Sequence, residues 1–211
     1  MNSQNLAPAT DSATDWFQQG ADCLDRGNLE NAIHSFRSAI ERDPDLVEAH
    51  YNLGLAYQGL DRLDFAAACY RSALKINPDY FRALNNLGQI LARAGDRSEA
   101  EIVYLKARSV NPEQAEPHFN LGDLALIRND LESAVSHYRR AIQVRPDMIA
   151  AYNNLGTVFQ KQSNFKAAEK CYRKVVALSP DLAQGHYNLG SILKQLDNAQ
   201  EAIAHLEQAI N

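Results

Sequence analysis

Residues 47–80 read VEAHYNLGLAYQGLDRLDFAAACYRSALKINPDY. His50, Leu53 and Tyr57 recur at the spacing of one helix face, and Ala66, Tyr70, Ala73 and Leu74 do so again in the second half of the stretch. The gap between the two runs is too short for anything but an antiparallel hairpin. Pro78 then ends the second run, because the residue before a proline is pushed out of the α region. One helix–turn–helix unit is therefore written in these residues.

Working outward, the unit repeats. Pro44, Pro78, Pro112, Pro146 and Pro180 fall at intervals of 34. Gly20, Gly54, Gly88, Gly122, Gly156 and Gly190 keep that interval, as do Ala32, Ala66, Ala100, Ala134, Ala168 and Ala202. Aromatics follow at Phe36, Tyr70, Tyr104, Tyr138 and Tyr172, with Leu206 closing the series. Turn residues such as Arg26-Gly27-Asn28, Gly95-Asp96 and Arg128-Asn129-Asp130 mark the hairpin bends. The acids Asp45, Asp79, Glu113, Asp147 and Asp181 sit near the next helix N-terminus, where negative charge is favoured. The organisation expected is an unstructured leader over 1–12 and repeats over 13–46, 47–80, 81–114, 115–148, 149–182 and 183–211. The fold class is all-α, a solenoid of six antiparallel helix-turn-helix repeats.

A glycine inside a helix costs about 1 kcal/mol against alanine, so six cost roughly 6 kcal/mol. That approaches the stability of a small domain. They persist only where a missing side chain lets two helices close on each other. The phased alanines of the second helix are the partners expected for that contact.

Gly at position eight, Ala at twenty, an aromatic at twenty-four, Ala at twenty-seven and Pro at thirty-two resemble the tetratricopeptide repeat, over about Ala13 to Asn211. The resemblance implies hairpins stacked in a right-handed superhelix, with the first helices lining a concave groove that binds peptides or partner proteins. The fold as such carries no chemistry. In that family the groove is drawn chiefly from positions two, five, six, nine, twelve and thirteen.

Position six reads Gln18, Asn52, Asn86, Asn120, Asn154 and Asn188. A carboxamide both donates and accepts, so a column of them can grip an extended backbone without reading side chains. The column resembles the asparagine ladder in the repeat arm of O-linked N-acetylglucosamine transferases, whose repeats also run Asn-Leu-Gly. The alternative is that these amides only satisfy neighbouring backbone. Position five adds Phe17, Tyr51, Phe119 and Tyr187, alternating with Asn85 and Asn153. Such aromatics offer contact area at low entropic cost, or else pack on the adjacent hairpin. Groove charges balance: Arg82, Arg93, Lys161 and Lys194 against Asp25, Glu48, Glu116 and Asp123. The pattern of lysines by which some family members clamp a C-terminal carboxylate is absent. A neutral, extended protein or peptide partner is the ligand expected.

Other chemistry finds no residues. The net charge of −5 gives no basic face for nucleic acid. No apolar run approaches the roughly 20 residues of a membrane span. Cys23, Cys69 and Cys171 are too few and too scattered for a disulfide framework, so a reducing cytoplasm is expected. His50, His118 and His186 share position four of alternate units, and His137 and His205 share position twenty-three. Both sets are spread along the stack, so packing rather than a shared metal is expected. No catalytic, cofactor or metal residue is assigned, and an enzyme is not expected. The first unit carries polar Gln18 and Gln19, as a terminal repeat should. The last unit ends after Ala209 and Ile210 with no solvating helix. The expectation is a continuation in a longer chain, such as the substrate-recruiting arm of a glycosyltransferase or methyltransferase, or self-association through that end.

Overall fold

The computed structural model describes residues 12–210. Among them run twelve α-helices and no strand. They pair as α1 (Ala13–Asp25) with α2 (Leu29–Arg42), α3 (Val47–Gly59) with α4 (Leu63–Ile76), and α5 (Phe81–Ala94) with α6 (Arg97–Val110). The series continues as α7 (Ala115–Ile127) with α8 (Leu131–Val144), α9 (Ile149–Lys161) with α10 (Phe165–Leu178), and α11 (Ala183–Gln195) with α12 (Ala199–Gln208). None of these helices is long and apolar enough to cross a membrane. The leader expected over 1–12 lies outside the described residues except for Ser12. That serine is the N-cap of α1: its hydroxyl accepts from the Asp15 N–H at 3.1 Å, and the Asp15 carboxylate accepts from the Ser12 N–H at 2.8 Å.

The hairpin bends share one device. Gly27, Asp61, Gly95, Asn129, Ser163 and Asp197 are all left-handed, with φ of 73°, 56°, 92°, 59°, 58° and 59°. The next N–H then reaches back five residues to close the helix end, as from Asn28 to Cys23 at 2.8 Å and from Asp130 to Ala125 at 2.9 Å. Only two of the six bends use glycine.

The chain divides into two compact units, with the boundary between Lys106 and Ala107, inside α6. In the first, α1 packs on α2, α2 on α3, α3 on α4 and α4 on α5. In the second, α7 to α12 pack in the same order. First helices also meet across hairpins, α1 with α3 and α7 with α9. The phased alanines Ala32, Ala66, Ala100, Ala134 and Ala168 are wholly buried.

The expectation about the glycines is corrected. In five of the six repeats their close partner is the aromatic of the second helix rather than its alanines, while Gly190 meets Leu206 and the Ala202 carbonyl. A Cβ on Gly20 would stand 2.7 Å from the Phe36 ring, one on Gly54 2.5 Å from Tyr70, and one on Gly156 2.6 Å from Tyr172. Gly88 stands in the same relation to Tyr104. Each ring closes on the bare backbone of the first helix, where the methyl group of an alanine would collide with it.

Candidate functional site

Each unit carries its own first-helix face. In the first unit, α3 brings Tyr51 and Asn52, and α5 brings Arg82, Asn85 and Asn86. Asn86 Nδ2 donates to the Tyr51 hydroxyl at 3.3 Å and to the Tyr70 hydroxyl at 3.4 Å, and the Tyr70 hydroxyl donates to Gln58 Oε1 at 2.7 Å. Asn52 is half-buried, and no hydrogen bond joins its amide to the described residues. Asn85 is half-buried as well, with a protein contact of its own. Arg82 is exposed without a carboxylate partner among the described residues; burial pushes the phenols of Tyr51 and Tyr80 up, and the Arg82 charge opposes that shift.

In the second unit the same positions bring Asn120 and Phe119 on α7, Asn153 and Asn154 on α9, and Tyr187 and Asn188 on α11. Asn154 Nδ2 donates to Asp123 Oδ1 at 2.8 Å, and the Tyr138 hydroxyl donates to the same oxygen at 2.6 Å. Asn188 Nδ2 donates to Asn153 Oδ1 at 2.7 Å, while its own Oδ1 accepts from Gln184 at 2.8 Å. Asn120 is half-buried and has a protein contact of its own.

A rule emerges at three of the six repeats. The position-six amide donates backward to the preceding first helix, at position five (Tyr51, Asn153) or nine (Asp123). The column therefore straps neighbouring repeats together, and part of its donor capacity is spent inside the protein. Burial pushes the Asp123 carboxyl up, opposed by the hydrogen bonds from Tyr138 and Asn154. Burial also pushes up the phenols of Tyr70, Tyr138 and Tyr172. These hydroxyls reach first-helix groups the periodicity did not single out: Gln58, and for Tyr172 Thr157 at 3.3 Å and Gln160 at 3.4 Å. The signal was present in the sequence, where Phe36 gives way to tyrosine in the next four repeats.

The position-five aromatics do not share one environment. Tyr51, expected as an open contact surface, is only 8 % exposed, held between Tyr70 (ring centroids 5.7 Å apart) and Tyr80 (5.4 Å). The reason is the following hairpin, whose Tyr80 and Asn86 cover it. Phe119 is half-buried on Tyr138 at 5.8 Å, and Phe17 likewise on Phe36 at 5.8 Å. Tyr187 is 56 % exposed.

The groove charges are partly consumed within the fold. Arg93 pairs with Asp61 at 3.3 Å, and Arg145 with Glu116. The histidines hold turns: His50 Nε2 lies 2.8 Å from the Pro44 carbonyl and His186 Nε2 2.7 Å from that of Pro180. His118 bonds to Pro112 in the same way. Position four also meets position twenty-three inside one hairpin, bringing His118 toward His137 and His186 toward His205. Sequence spacing missed this, because residues 19 apart share no helix face. Cys69 is half-buried and Cys171 buried, and burial pushes each thiol up to about 11. No cluster of three or more metal-ligating side chains occurs among the described residues.

Family models described as TPR repeat match residues 20–61 and 122–163, and models described as tetratricopeptide repeat match 147–211, 47–80 and 69–102. No curated protein matches the chain by sequence. Among solved structures, the chain is similar to Pseudomonas aeruginosa PilF at 23% identity, covering 92% of this chain and 88% of that one, with a TM-score of 0.81. It is similar to PilW, a type IV pilus biogenesis factor, at 23% identity, covering 92% and 90%, with a TM-score of 0.78. It is also similar to YrrB, described as a TPR protein with an unusual peptide-binding site, at 21% identity, covering 83% and 90%, with a TM-score of 0.68. At these identities the likeness is one of fold.

Proposed function

The chain belongs to the tetratricopeptide-repeat family, and on that premise we propose that it is a non-enzymatic scaffold whose first-helix face holds an extended segment of a partner protein. The observation that carries this reading is at the first unit: Asn52, its amide unspent, and Arg82, exposed and unpaired, stand on consecutive first helices. An amide that bonds both ways and a guanidinium with five donors suit the carbonyls and N–H groups of a peptide backbone. A peptide-binding site described for another structure of this fold makes peptides a ligand class the fold accommodates. The likeness to the ladder of glycosyltransferase arms is part of the same reading: Asn86, Asn154 and Asn188 align the repeats, and Asn52 meets the ligand. The unpaired thiols suit a reducing cytoplasm.

The test is a partner peptide identified by pull-down, then titrated against the Asn52→Ala/Arg82→Ala protein by fluorescence anisotropy. Affinity should fall at least about tenfold, the size of one lost charged hydrogen bond. Unchanged affinity sinks the proposal. A second reading, self-association, rests on the exposure of Tyr187 and Ile210 (86 %), which line a cleft with Ala183, Leu206 and Ala209. Sedimentation velocity over a concentration series separates it from peptide binding.

A further inference from the structure

In the last hairpin, His186 on α11 and His205 on α12 turn their Nδ1 atoms toward each other at 2.9 Å. The outer nitrogen of His186 is held by an acceptor, and that of His205 stands near a carboxylate without a hydrogen bond to it. His186 Nε2 lies 2.7 Å from the Pro180 carbonyl, which can only accept, so that nitrogen carries the hydrogen and His186 Nδ1 presents a lone pair. His205 Nε2 faces Glu201 Oε1 at 3.8 Å. Two convergent ring nitrogens, with a carbonyl and a carboxylate behind them, are the arrangement by which proteins orient imidazole ligands toward a metal ion.

We infer that His186 and His205 form a two-imidazole site for a late first-row divalent transition ion such as Zn2+ or Cu2+. Bonds of about 2.0–2.1 Å at a tetrahedral angle place two nitrogens about 3.3 Å apart, so the pair opens by about 0.4 Å to admit the ion. In the ion-free pair His205 Nδ1 donates its hydrogen to His186. On binding, that proton moves to His205 Nε2, facing Glu201, so the neutral pair takes the ion without releasing a proton. Remaining coordination positions go to water. His186 opens on a cleft of about 350 Å³ that Asp181 and Gln208 also line.

The surrounding charge suits a cation. Arg173 is the nearby guanidinium and acts against positive charge on His205, but it is paired with two carboxylates, Glu201 at 2.6 and 2.9 Å and Glu169 at 2.8 Å. The corresponding pair in the α7/α8 hairpin contrasts. Its ring centroids are 6.2 Å apart against 5.1 Å. The site is therefore assigned to the last hairpin alone.

The test uses the full chain without a histidine tag, titrated calorimetrically with Zn2+ and Cu2+ in a weakly coordinating buffer at neutral pH. One ion should bind per chain, and the unfolding midpoint should rise by about 3–6 °C at an ion concentration ten times Kd. His205→Gln should abolish both effects, and Glu201→Gln should weaken binding about tenfold through the orienting carboxylate. Absence of binding at about a hundred micromolar ion overturns the site, as does undiminished binding in a folded His205→Gln protein. Should that variant fail to fold, Cu2+ electron paramagnetic resonance of the unaltered chain decides. Coupling to two imidazole nitrogens is expected, and coupling to one or none refutes the inference.

Discussion

Replacing Gly122 by alanine puts a methyl group where Tyr138 already lies. The new Cβ would stand 2.7 Å from Cε1 and 2.8 Å from Cδ1 of that ring. Helix propensity alone favours the change by about 1 kcal/mol. Overpacking opposes it by about 1–3 kcal/mol. The ring has no room to retreat, because Tyr138 is fully buried and its hydroxyl donates to Asp123 at 2.6 Å. Surrendering that hydrogen bond to a charged group adds about 1.5–3 kcal/mol. The net expectation is a destabilisation of about 1.5–5 kcal/mol, read as a fall in the urea midpoint followed by far-UV circular dichroism. The control is the same change in a Tyr138→Ala background. With the collision gone, only propensity remains, and Gly122→Ala should stabilise by up to about 1 kcal/mol. A neutral or stabilising single substitution, with Tyr138 intact, would refute the ring-over-glycine account.

Tyr138→Phe should cost about 1.5 kcal/mol and Tyr172→Phe about 0.5 kcal/mol, since the first hydroxyl holds a carboxylate at 2.6 Å and the second makes bonds of 3.3 and 3.4 Å. Equal losses in urea unfolding would contradict this ordering. Ser163 is left-handed at φ 58° without being glycine or asparagine, so Ser163→Gly should raise stability by about 0.5–1 kcal/mol in the same assay. Burial raises the folded pKa of Asp123 above the ordinary aspartate value, so stability falls as pH rises from the ordinary value through the folded pKa and is then level. Asp123→Asn should remove that fall, so its stability gain over the unaltered chain grows across this window; a gain independent of pH would be the wrong result. Asn86→Ala and Asn154→Ala should each lose about 1 kcal/mol of stability, whereas Asn52→Ala should lose none, as thermal melts of the three variants will show.

The 34-residue phase by itself settles much of the fold. Proline, glycine, alanine and aromatic each act through a local requirement: ending a helix, removing a side chain, or filling a core at a fixed turn of the helix. Helix, hairpin and repeat number follow from such local requirements. What periodicity does not carry is the identity of a neighbour on another helix. Gly122 and Tyr138 are 16 residues apart, Asn188 and Asn153 are 35, His186 and His205 are 19, and none of these pairs shares a helix face. Each meeting depends on how far one helix is rotated about its axis against the next, which packing of whole surfaces decides. So the asparagine column was legible as a column, but only the tertiary structure showed that Asn86, Asn154 and Asn188 spend their amides on the preceding repeat while Asn52 does not. Tyr51 was legible as a first-helix aromatic, and it is buried because the next hairpin lays Tyr80 over it. Sequence fixes which groups each helix displays; the docking of helix on helix decides which of them remain for a partner.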